Sequence, residues 1–115
     1  YPETQAVITI AGNLDIAAWA EMHRYTQLHR SLNPASRPAL DPGIHQLHLI
    51  GGRDTNITLQ LIEGFESRQQ NSELVVVSDF DHVCCWTKLW PDVLAWVSTV
   101  ENSEGMVKKD LQLRF

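Results

Sequence analysis

The chain has 115 residues, 43% hydrophobic and 20% charged, a balance that excludes a disordered polymer and fits one small domain or part of a larger one. Lys and Arg total 9 against 14 Asp and Glu, for a formal net charge of −5. The basic pair Lys108-Lys109 reads as solvated surface, so the clustered cations of a general nucleic-acid binder are missing. No apolar run approaches the roughly 20 residues of a membrane span, and no signal peptide opens the chain. The first residue is Tyr1 rather than Met, so the N-terminus is expected to be a cut, and localisation stays open.

Ala6 to Ala11 (AVITIA) is apolar and β-branched and is followed by Gly12-Asn13, which predicts a strand ending in a turn. Its continuous hydrophobicity suits a parallel sheet covered on both faces. Asp15 to His29 predicts a helix over part of its length, with Ile16, Trp19, Met22 and His23 on one face. Ser31 to Gly43 holds Pro34, Pro38 and Pro42 and predicts a long connection without a regular element. His45 to Ile50 (HQLHLI) is a second strand, ended by Gly51-Gly52. A helix is predicted from Thr58 to about Gln69, with Ile57, Leu61, Ile62 and Phe65 at helical spacing. Leu74 to Val77 (LVVV) is the third strand. The loop Ser78 to Trp86 leads to a helix from about Trp90, with Pro91 in its first turn and Val93, Trp96, Val97 and Val100 on its apolar face. The tail Met106 to Phe115 shows a weak alternation at Leu111, Leu113 and Phe115.

Strands alternating with helices predict an α/β fold: a parallel sheet of about three core strands with helices on both sides, in three layers. The first strand has no predicted partner on one side, which would favour self-association through it.

Ligands and catalytic groups of open α/β sheets collect beyond the carboxyl ends of the strands. Asp54 follows the second strand in Gly51-Gly52-Arg53-Asp54, and His82 follows the third in Phe80-Asp81-His82. Parallel neighbouring strands would bring both loops to one edge. An acid that orients a histidine makes up two members of a nucleophilic triad. The adjacent Cys84-Cys85 read as buried free thiols, because a bond between neighbours closes a small strained ring. His23, His29, His45 and His48 supply no metal-ligand spacing with them and read as structural or surface residues, so neither a metal nor a cofactor is expected.

The order and spacing of these motifs resemble the C-terminal half of an α/β-hydrolase. In that family the acid follows the penultimate core strand in a G-x-x-D-like turn, and the histidine follows the last core strand before the final helix. Phe80-Asp81-His82-Val83-Cys84-Cys85-Trp86 and Ala11-Gly12-Asn13-Leu14-Asp15 are similar to strings of a bacterial subgroup. The resemblance covers nearly the whole chain up to about Glu101 and implies a serine hydrolase acting on a small-molecule ester, thioester or amide. It makes Asp54 the triad acid and His82 the general base. Leu28 to Gly43 would be a cap or connecting region able to contact substrate.

The family also needs G-x-S-x-G, the turn that exposes the nucleophile. None of Ser31, Ser36, Ser67, Ser72, Ser78, Ser98 and Ser103 lies in that pattern. Since the serine precedes the acid and the histidine in this family, the resemblance implies an elbow ahead of Tyr1 and an inactive 115-residue chain.

Other assignments compete. Asp15 also lies just past a strand and is the alternative acid, or a helix cap. Asp54 could cap the helix near Thr58. Asp81 could shape its own turn, and Trp86 could support the histidine loop, whereas Trp90 and Trp96 fit core packing. Val75 to Asp81 also resembles the opening D-x-D of haloacid-dehalogenase-type phosphatases, with Asp79 as nucleophile and Asp81 as acid. His82 and Val83 replace its usual Gly and Thr, and too few residues follow for its remaining motifs. A non-catalytic α/β interaction module is the alternative of a different class.

Overall fold

The three apolar segments pair side by side in the computed structural model, which describes residues 3–26 and 30–101. Strands β1 (Ala6–Ile10), β2 (His45–Gly51) and β3 (Ser72–Val77) form one parallel sheet in the order β1-β2-β3. Ala6 pairs with His45 at one end of β1 and Ile10 with Leu49 at the other, while Gln46 to Gly51 run beside Ser72 to Val77. Helices α1 (Ile16–His23), α2 (Leu59–Glu66) and α3 (Trp90–Glu101) follow the three strands in turn. The predicted α/β alternation and parallel sheet are therefore present. Leu28, His29, the pair Lys108-Lys109 and the alternation at Leu111, Leu113 and Phe115 lie outside the described residues.

Side-chain alternation along β2 builds the three layers. Leu47 and Leu49 point to one face, where they pack with Val93, Trp96 and Val100 of α3. Ile50 points to the other and packs with Ile57, Leu61 and Ile62, backed by Leu14, Ala18 and Trp19. Only the central strand is covered as the sequence predicts for a two-faced sheet. Each residue of β1 is half-buried, and Val76 of β3 is 43% exposed, because both are edge strands.

Helix α1 occupies the Ile16–His23 part of the predicted segment, as expected, and two other local expectations change. The helix ends at His23 because Arg24 takes a left-handed conformation at φ 59°. The Arg24 N–H returns to the Glu21 carbonyl and the Tyr25 N–H to that of Ala20, which satisfies the last carbonyls of the helix. The Tyr25 ring then settles 5.3 Å from that of Trp19. The 31–43 connection contains a short 3-10 turn at Pro34–Ser36, initiated by the Asn33 side chain. Trp96 is in the core as predicted, but Trp90 is 52% exposed, since the first turn of α3 overhangs the sheet-facing stripe.

The α1/α2 face of the sheet also holds a buried polar chain. The Gln46 side-chain N–H donates to Gln69 Oε1 (3.1 Å), which also accepts the Leu40 N–H (2.9 Å). That leaves Gln46 Oε1 as acceptor, so His48 Nε2 carries a hydrogen and donates to it at 3.0 Å. His48 Nδ1 therefore accepts from the Thr9 hydroxyl at 2.8 Å. The ring is neutral, wholly buried, and set edge-on to Phe65. This chain joins β1, β2 and the turn after α2 to the 31–43 connection.

Two outcomes follow from these features. Arg24→Gly should raise stability in urea melts by about 1 kcal/mol, because glycine adopts the left-handed conformation without the Cβ penalty; an unchanged midpoint would contradict this. Burial holds the His48 imidazole below its ordinary 6.5, against an opposing pull from Glu66. The folded state thus binds fewer protons than the unfolded chain just below pH 6.5. His48's contribution is complete above that value and is lost as pH falls through it toward the depressed folded value. Stability measured from pH 8 to pH 5 should decline in the acid limb, with a shallower slope in His48→Gln.

Candidate active site

The carboxyl ends of β2 and β3 approach so closely that their loops cross backbone to backbone. A Cβ added to Gly51 would strike the Phe80 carbonyl and lie 2.9 Å from that of Asp81, and one on Gly52 would lie 2.8 Å from Ser78 Cα. The two glycines therefore let the β3 loop pass over the end of β2. Hydrogen bonds hold the crossing: Gly52 N–H to Val77 O at 2.8 Å, and Arg53 N–H to Phe80 O at 2.9 Å. The Asp54 N–H turns back to Gly51 O at 3.1 Å, directing the aspartate side chain inward.

Asp54 and His82 meet there. His82 Nδ1 lies 3.0 Å from Asp54 Oδ2. The other carboxylate oxygen, Oδ1, accepts the N–H groups of Asn56 and Ile57, each at 2.8 Å. The Asp54 side chain is fully buried, whereas that of His82 is 41% exposed. A carboxylate only accepts, so the neutral His82 ring carries its hydrogen on Nδ1 and presents the Nε2 lone pair outward. This is the tautomer a general base needs. The capping alternative for Asp54 is met by one oxygen and the histidine by the other. Thr58, which starts α2, makes no side-chain cap bond.

The remaining sequence candidates occupy other positions. Asp15 caps α1, its Oδ1 accepting from Ala18 N (3.1 Å) and from the Asn33 side chain (3.2 Å). Asp81 Oδ1 accepts the N–H groups of Cys84 (2.7 Å) and Val83 (2.9 Å), bonds that hold its carboxyl below the usual range. Asp79 is exposed and lies 4.0 Å from Arg53, a surface pair of little energetic weight. Trp86 donates to the His82 carbonyl at 3.2 Å and sets its ring edge-on to Phe80, bracing the histidine loop against the α3 side of the core.

The cysteines depart from expectation. Cys84 and Cys85 are joined to each other as a vicinal disulfide across a cis peptide bond, and both are half-buried rather than buried free thiols. The Asp81 turn that gathers the N–H groups of residues 83 and 84 sets the path of the chain here. Among the described residues, no three His, Cys, Asp or Glu side chains cluster as metal ligands, and no helix is long and apolar enough to cross a membrane.

Two features were not singled out in the sequence. Asn56 binds both sides of the site: its backbone N–H reaches Asp54, and its side-chain Nδ2 lies 3.5 Å from His82 Nε2. A polar residue two positions after the acid was the available signal. The second is a groove of about 450 Å³ on the α1/α2 face, walled by Val7, Leu32, Pro34 and Phe65 and floored by Gln46 and His48. Residues of the proposed cap region line it, but Asp54 and His82 do not. No protein-family model, curated protein or solved structure matches the chain.

Gly51→Ala tests the crossing. The added methyl group meets backbone, so the β3 loop must move, at a cost of about 1–3 kcal/mol. The low-field proton resonance of a carboxylate-bound His82 Nδ1–H should vanish with it. A variant that melts with the parent and keeps the resonance would show that the glycines are dispensable.

Proposed function

We propose that this chain supplies the acid and the general base of a serine hydrolase acting on an ester, thioester or amide, in a protein of the α/β-hydrolase type. The observation that carries the reading is the 3.0 Å bond from His82 Nδ1 to the fully buried Asp54 carboxylate, on a histidine whose side chain is 41% exposed. In this reading Nε2 takes the proton of a serine hydroxyl as the hydroxyl oxygen attacks the carbonyl. It later returns that proton to the leaving group, while Asp54 orients the ring and stabilises the imidazolium. Among the described residues the group beside Nε2 is the Asn56 amide rather than a hydroxyl. This reading calls for a serine in a G-x-S-x-G elbow, a pattern that none of the serines of this sequence forms.

The alternative is a non-catalytic α/β interaction module, in which Asp54 serves the turn before α2. Its two bonds to the N–H groups of Asn56 and Ile57 support that role. Exposure of the histidine favours the hydrolase reading, since a purely structural histidine gains by burial of both nitrogens, as His48 does.

The coding sequence upstream of Tyr1 provides the first test, and a G-x-S-x-G after an apolar strand is expected there. The isolated chain should hydrolyse p-nitrophenyl acetate no faster than free imidazole. In a protein carrying the elbow, Asp54→Asn should lower kcat by about 10⁴-fold, with His82→Ala lowering it at least comparably. Full activity in either variant, or ester turnover by the isolated chain that His82→Ala abolishes, would overturn the assignment.

A further inference from the structure

We propose that Asn56 is a positioning residue for His82. Its side-chain amide holds Nε2 and fixes the orientation of the ring until a hydroxyl takes the amide's place. The inference rests on the Asp54–His82 pair and adds to the hydrolase reading a group that the triad does not include.

Every polar atom of Asn56 is engaged. The backbone N–H donates to Asp54 Oδ1 at 2.8 Å, and the backbone carbonyl accepts from His23 Nε2 at 2.9 Å. The side-chain Oδ1 accepts from Trp19 Nε1 at 2.9 Å. An indole nitrogen only donates, so that bond decides which end of the amide is oxygen. The remaining end, Nδ2, is turned to His82 Nε2 at 3.5 Å. The opposite orientation would set a carbonyl oxygen against the imidazole lone pair.

One acceptor and one donor of fixed identity thus set the tautomer and the orientation of the ring. Asp54 claims the hydrogen of Nδ1, and the amide N–H faces the lone pair of Nε2. Both nitrogens are held, so rotation of the ring is restricted. The outer bond is at the long limit of hydrogen bonding, weak enough for an incoming hydroxyl to displace. Trp19 and His23 lie on α1, so the orientation of that helix is transmitted to the base through one amide.

Carbethoxylation of His82 by diethyl pyrocarbonate reads this directly, because the reagent attacks the free lone pair of an imidazole. The 41% exposure of the His82 side chain makes it reachable. Modification rates at pH 7 would be followed by mass spectrometry, with His45 as the internal reference. Asn56→Leu keeps the bulk and removes the donor, and should speed His82 modification by about 2- to 10-fold, the equivalent of one ordinary hydrogen bond. Asn56→Asp presents a carboxylate to Nε2, favours the unreactive protonated ring, and should slow it. Trp19→Phe frees the amide to turn and should also speed it. Opposite signs for the Leu and Asp variants are the signature, since general loosening of the loop would move both the same way. Rates that change in the same direction, or not at all, overturn the proposal. The measurement needs neither serine nor substrate, so it stands apart from the fate of the hydrolase reading.

Discussion

The backbone crossing at Gly51 and Gly52 is the constraint on which the rest of the site depends. Two parallel strands deliver their following loops to the same edge, but not within hydrogen-bond reach of each other. Here the β3 loop lies directly on the end of β2, where a single Cβ would collide with the Phe80 carbonyl. The crossing is stitched by Gly52 N–H to Val77 O and Arg53 N–H to Phe80 O, so it is specified by backbone rather than by side chains. Asp54 is turned inward by the same hairpin of chain, and His82 is carried in from the opposite loop. The pair is a consequence of the crossing, not its cause.

Around that crossing, orientation is divided among groups with one permitted role each. Asp54 uses one oxygen to close the turn before α2 and the other to hold His82. The turn bonds stop the carboxylate from rotating, which in turn fixes the direction of the histidine bond. Trp86 holds the backbone of the loop through the His82 carbonyl, and Asp81 gathers the N–H groups that follow. Each partner is a pure donor or a pure acceptor in its bond, so few alternative networks exist.

Much of the scaffold was legible because it rests on periodicity. LVVV, HQLHLI and AVITI declare strands, and the Val93, Trp96, Val100 spacing declares the face of α3. That Asp54 and His82 share one edge of the sheet was also legible, since strand order and parallel direction bring their loops there; the bond between them depends on the crossing as well. What escaped depended on single contacts. Nothing local marks Arg24 as the left-handed end of α1; that end is favoured by Tyr25 reaching back onto Trp19. Trp90 reads as a core residue by type and is exposed by its place in the first turn. Asn56 had no visible role because its partners come from α1 and from a loop 26 residues away.

The comparison between His48 and His82 explains why one ring is structural and the other a candidate base. Both are anchored at one nitrogen by a side-chain oxygen, 3.0 Å away in each case. They differ at the second nitrogen. His48 Nδ1 is taken by the half-buried Thr9 hydroxyl at 2.8 Å, the ring itself is buried, and burial opposes its protonation. His82 Nε2 meets a donor at 3.5 Å at the open edge of the sheet. A base must both gain and release a proton, which requires a lone pair that is oriented yet displaceable. In this fold the crossing at Gly51 supplies the orientation, and the long contact to Asn56 supplies the displaceability.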